Sequence, residues 1–172
     1  VRYWFLTGIL MVTFLLQSVV AAYLSIGGIV PDLLLMLVVS YGLLFGWQVG
    51  LGGGILSGLL MDLSTGRFIG AHVLAMGTVG LVAGLVEQKV FKDNILLAPA
   101  AGFAGSVGGQ TIILTCLAIY GWRLSPIEAL RTTVLPEALY DMAISVLIYG
   151  QLYKYHLYLK PDPRGTIVLR RR

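Results

Sequence analysis

The sequence predicts an all-α membrane protein, a polytopic bundle of about six transmembrane helices. Three observations point there. Hydrophobic residues make up 58% of the chain and charged ones only 12%, against about 45–50% and about 25% in soluble domains. The mean hydropathy is +0.88, more apolar surface than a soluble core of this size hides. The apolar residues also fall in long runs with short glycine-, proline- or charge-bearing breaks, as expected of segments that use lipid as part of their solvent.

The first helix is expected over roughly 3–24. This run is too long for a signal-peptide core and no A-x-A cleavage site follows, so it reads as a retained span. Residues 25–30, SIGGIV, form a turn. Pro31 opens the second helix, where its missing N–H is harmless, and Asp32 suits the positive end of the helix dipole. That helix runs to about Phe45, and a bend at Gly46, Trp47 and Gln48 leads into a third over about 48–63. Both are short against the roughly 20 residues a bilayer asks for, so a broken or re-entrant pair also fits. The fourth helix is expected over about 69–87, the fifth over about 95–121, and the sixth from Pro136 to about Tyr155. Residues 1–160 thus form one transmembrane domain, and 161–172 a basic cytoplasmic tail.

An even number of spans places both termini on one side. Arg2, Lys89, Lys92, Lys154, Lys160, Arg164, Arg170, Arg171 and Arg172 would share that side, and Arg67, Arg123 and Arg131 the other. The excess makes the terminal side cytoplasmic. Tyr149, Tyr153, Tyr155 and Tyr158 fit an aromatic belt where the last helix leaves the membrane. Cys116 is the one cysteine. It forms no disulfide within the chain and reads as a small buried hydrophobe.

The stretch GLGGGILSGLLMDLSTG, Gly50 to Gly66, is the most unusual segment. No lysine follows its glycines, so it is not a phosphate loop. Gly50, Gly54 and Gly58 fall four apart and line one helix face, which Asp62 continues. Such a stripe lets another backbone approach closely inside lipid. Gly80 and Gly84 repeat the spacing in the fourth helix, as do Ala101, Gly105 and Gly109 in the fifth. These faces pack helices within the chain or dock a partner's membrane helix. Asp62, at the end of its helix before the turn to Gly66, faces unfavourable carbonyl dipoles. It needs a partner: Arg67, His72 or the N–H groups that open the fourth helix.

Glu137 and Asp141 lie four apart on one face of the last helix. Two carboxylates there meet Arg131 or Arg123, bind a cation or share a proton. No histidine or cysteine supplies metal-ligand spacing, and no cofactor or nucleic-acid partner is expected. Ser57 and His72 lie on adjacent helices, but Ser57 lacks protease flanks, so no enzyme is expected.

Taken in order, Pro31-Asp32-Leu33, the glycine-rich helix, Leu60-Met61-Asp62-Leu63-Ser64-Thr65-Gly66, then Gly70-Ala71-His72 and Leu135-Pro136 resemble the MreD family of bacterial rod-shape-determining membrane proteins, over essentially the whole chain. That family often carries asparagine where this chain has Asp141. The resemblance implies a non-enzymatic scaffold in the bacterial cytoplasmic membrane. Its implied partners are MreC and, in a larger elongation complex for peptidoglycan synthesis and rod shape, RodA, a class B penicillin-binding protein and MreB. It also implies a fold similar to the substrate-binding subunits of energy-coupling-factor vitamin transporters, and such a subunit is the alternative function. The side-by-side Ala21 and Ala22 lack the A-x-x-x-A docking face of those subunits, and the expected outer loops hold few polar residues. On the scaffold reading MreC's membrane helix packs on Gly50, Gly54 and Gly58, with the Asp62–Gly66 turn and Glu137 and Asp141 nearby.

Overall fold

The computed structural model describes residues 2–23, 28–66, 69–87, 97–121 and 126–159. They form α1 (Arg2–Tyr23), α2 (Leu33–Phe45), α3 (Trp47–Thr65), α4 (Ala71–Glu87), α5 (Leu97–Ile119), the single turn α6 (Pro126–Ala129), a π turn (Leu130–Val134) and α7 (Leu135–Leu159). The basic tail 161–172, and Arg67, Lys89, Lys92, Arg123, Tyr158 and Lys160 among the expected topology markers, lie outside the described residues or side chains, as does the side chain of Arg2.

The architecture is one central helix inside a ring. α2 touches α1, α3, α4, α5 and α7. Every residue of α2 except Phe45 is buried, as expected of a helix that is apolar all round. The Ser40 hydroxyl donates to the Met36 carbonyl at 2.8 Å and so needs no outside partner. Pro31 does not begin the helix. Asp32 is the N-cap, and its side chain accepts the Leu35 N–H at 2.9 Å, satisfying one of the donors a helix start leaves open. Gly46, at φ +90°, ends α2 and opens α3 without a linker. Only glycine adopts that conformation freely.

Around α2 the ring runs α1, α3, α4, α5, α7. It closes where Phe5 of α1 stacks on Tyr155 of α7, 4.4 Å between ring centres. Tyr41 of α2 ties α1 down by donating to the Leu6 carbonyl at 2.7 Å. Tyr149, expected in an aromatic belt, is instead buried and stacks on Tyr153.

The last helix begins at Leu135, one residue before the expected start at Pro136. Pro136 sits just past the π turn, in which the Leu135 N–H reaches the Leu130 carbonyl. A proline ring clashes with the carbonyl four residues back in a regular helix, and the wider turn ahead of Pro136 opens that space. Beyond it Glu137, Ala138, Asp141 and Ser145 share the buried face of α7.

The expected six-span bundle is not what the structure shows. Among the described residues one helix, Ala98–Ile119, is long and apolar enough to cross a membrane. Tyr3–Val19, Leu33–Phe45 and Ala71–Val86 are apolar but shorter. At about 1.5 Å per residue, the 13 residues of α2 reach roughly 20 Å, against about 30 Å of hydrocarbon. α3 spends much of its length on glycines and carries Asp62 in its last turn, and α7 carries Glu137, Asp141 and Lys154. The chain-wide hydropathy overstated the number of crossings because it does not register how short the individual apolar helices are, and one of them, α2, is enclosed by its neighbours. The multi-pass placement with both termini cytoplasmic rested on that count and falls with it.

Candidate functional site

The glycine stripe of α3 meets α4 of the same chain. A Cβ added to Gly54 would lie 2.7 Å from the Met76 carbonyl carbon and 2.9 Å from Gly77 Cα. One added to Gly58 would lie 2.5 Å from the His72 oxygen and from Val73 Cα. Gly50 packs on the Gly80 carbonyl and on Gly42 of α2, and Gly84 packs on Trp47 at the start of α3. Backbone thus touches backbone along the whole α3–α4 pair, and the face expected to receive a partner's helix is filled from within. In α5, Gly105 lies against Val39 and Val79, and Gly109 against Leu35. Ala101 is half-buried in a groove between α4 and α5.

Asp62 closes the far end of the α3–α4 pair. It is fully buried. Oδ2 accepts the Gly70 N–H at 2.7 Å and the Val73 N–H at 3.3 Å; Oδ1 accepts the His72 N–H at 3.1 Å and lies 2.7 Å from His72 Nδ1. One carboxylate therefore caps the start of α4 from the end of α3, and the dipole there favours its charge. Burial pushes its pKa up, but the Gly70 N–H, the His72 ring and the N–H groups of His72 and Val73 together hold it below the ordinary value. Gly66, at φ +64°, ends α3 in the left-handed cap position and donates to the Asp62 carbonyl at 2.9 Å.

The same end of the bundle carries a buried polar layer. Asp141 Oδ1 accepts the Asp32 N–H at 2.8 Å, and Oδ2 accepts the Ser106 hydroxyl at 2.7 Å. Gln110 Nε2 donates to Glu137 Oε1 at 2.5 Å. Gln17 of α1 joins from the other side, donating to the Pro31 carbonyl at 3.0 Å and accepting the Leu33 N–H at 2.8 Å. Among the described residues, then, Glu137 and Asp141 meet neutral donors on α5 and α2 and not an arginine. Gln17 and Gln110 escaped the sequence reading, and Ser106 was not recognised as a partner of Asp141. A signal was present: Ser106 and Gln110 on α5 share the four-residue spacing of Glu137 and Asp141 on α7, so two matched pairs face each other.

Ser57 and His72 are not coupled. The His72 ring is held by Asp62, while the buried Ser57 hydroxyl has no hydrogen-bond partner.

Apolar grooves also open among the described residues, two of them of note. The larger, of about 400 Å³, lies between α4 and α5 over Val39 and Leu43 of α2. Val82 and Val86 form one wall, and Ala100, Ala104 and Gly108, four apart, the other. A Cβ on Gly108 would meet nothing within 4 Å. The smaller, of about 190 Å³, lies between α1 and α3 and includes Leu6, Leu10, Tyr41, Gly52 and Leu56.

Comparison with known families matches residues 1–159 to the family described as rod shape-determining protein MreD. No curated protein and no solved structure matches the chain, so the expected likeness to vitamin-transporter subunits gains no support from a known fold.

Proposed function

From the premise that this chain belongs to the MreD family of rod shape-determining proteins, a family of non-catalytic membrane proteins, we propose that it is a scaffold of the rod complex that binds MreC. In this reading the single membrane helix of MreC lies in the groove between α4 and α5. RodA, a class B penicillin-binding protein and MreB join the same larger assembly, which supports peptidoglycan synthesis and rod shape.

The observation that carries the reading is the open wall of α5. Among the described residues Ala100 and Ala104 are exposed and a Cβ on Gly108 would meet nothing within 4 Å, so this small-residue stripe is open, whereas Gly50, Gly54 and Gly58 are already occupied by α4. In lipid, helices associate through close backbone packing on such stripes. The wall also belongs to the one described helix long and apolar enough to cross a membrane, so a partner helix runs beside it at the same depth. An apolar groove suits such a helix better than a water-soluble vitamin. Gly50, Gly54, Gly58 and Asp62 contribute by fixing α4, the groove's other wall, and Glu137 and Asp141 by fixing α7 against α5.

Filling the groove tests this. Ala104→Phe with Gly108→Leu is expected to abolish co-purification of MreC from membranes while the protein still accumulates. Gly52→Leu, in the smaller groove, is expected to leave it intact. Wild-type recovery of MreC by the filled variant rejects the groove as the docking surface.

A further inference from the structure

We propose that Asp32, Glu137 and Asp141 form a proton-dependent latch that couples the start of α7 to α2 and α5. The three carboxylates are buried at one end of the bundle, on helices that are far apart in sequence. Asp141 bonds the first turn of α2 through the Asp32 N–H and bonds α5 through Ser106; Glu137 bonds α5 through Gln110. The inference is independent of which partner the protein binds.

Charge balance is what makes the junction responsive. Facing it from α1 is Gln17 and from α5 are Ser106 and Gln110, all neutral. From α4 His72 acts on Asp32, but its ring is bonded to Asp62 of α3. Arg131 of the π turn is exposed. Among the described residues no lysine or arginine pairs with any of the three. Three buried like charges without a cation are strongly unfavourable, so the closed junction holds protons.

Burial, with repulsion from Asp141 and Asp32, pushes Glu137 from 4.5 up to about 8 against the Gln110 hydrogen bond. Burial likewise pushes Asp141 from 3.8 up to about 7 against its hydrogen bond from Ser106, with Asp32 adding repulsion. Burial raises Asp32 too, against the Leu35 N–H and His72. Between those ordinary values and about 8 the folded protein binds more protons than the unfolded chain. Stability therefore falls as pH rises across that window and levels off above it. The region released is the π-turn end of α7, since Glu137 and Asp141 are its polar links to α2 and α5.

The test uses the full-length protein in detergent micelles. The midpoint of thermal unfolding is expected to drop by several degrees from about pH 5 to about pH 8. The double variant Glu137→Gln with Asp141→Asn imitates the protonated groups, each amide keeping one acceptor oxygen, for the Gln110 amide and the Asp32 N–H, while the Ser106 hydroxyl turns to accept from the new Asn amide. It is expected to remove most of the drop and to unfold later than the wild type at the upper pH. Hydrogen exchange, corrected for intrinsic rate, is expected to quicken over residues 135–142 at that pH more than over the rest of α7. A flat wild-type profile, an unchanged slope in the double variant, or uniform exchange along α7 would each overturn the latch.

Discussion

The backbone N–H of Asp32 donates to Asp141 Oδ1 at 2.8 Å, so the central helix begins on a side chain supplied by the last one. Asp141→Ala leaves that N–H and the Ser106 hydroxyl buried without their acceptor. Unsatisfied buried groups cost about 1–3 kcal/mol each, so the variant is expected to unfold clearly below the wild type at about pH 6, measured by thermal melts in detergent.

Asp62 is expected to act on acid stability in the opposite sense to the latch. Its pKa lies below the ordinary 3.8 when folded, so its contribution is complete above that value and is lost as pH falls through the folded pKa. Asp62→Ala removes the acceptor for three N–H groups and the His72 ring. The loss is expected to be at least about 2 kcal/mol near neutral pH, at the upper end of N-cap substitutions. Melts of variant and wild type are expected to converge as pH drops below that range.

Two glycines two residues apart separate packing from helix propensity. Gly54→Ala drives a Cβ into the α4 backbone at Met76 and Gly77 and is expected to destabilise by about 1–3 kcal/mol, the range for overpacking. Gly52→Ala meets nothing within 4 Å and is expected to stabilise by about 0.5–1 kcal/mol, the usual gain from replacing a mid-helix glycine. Equal effects of the two on the melting midpoint would contradict the α3–α4 seam.

Tyr41→Phe removes the hydroxyl that holds α1 to α2 at the Leu6 carbonyl. A loss of about 0.5–1.5 kcal/mol is expected, with the increase in hydrogen exchange concentrated in α1.

Much of the helix pattern was legible from the sequence because runs of apolar residues end at glycines that only a turn needs, as at Gly46 and Gly66. The spacing of Gly50, Gly54 and Gly58 marked a close helix contact, and of the candidates for Asp62, His72 and the N–H groups opening α4 are the ones it uses. What stayed hidden is three-dimensional. Hydropathy does not say whether an apolar helix faces lipid or protein, and α2, enclosed by its neighbours, shows the difference. Pro136 marked the start of α7 to within a residue, but the π turn ahead of it leaves no trace in composition. Gln17 and Gln110 went unnoticed because their partners are supplied by other helices. The open wall on α5, Ala100, Ala104 and Gly108, went unread beside the neighbouring Ala101, Gly105 and Gly109 stripe, since a sequence shows small-residue spacings but not which of them anything fills.

Site-specific cross-linking puts the central claim to its most direct test. A photoreactive residue at Ala104 is expected to capture MreC in growing cells, whereas the same residue at Gly52 captures none. Capture from Gly52 with none from Ala104 would show that the partner does not lie between α4 and α5.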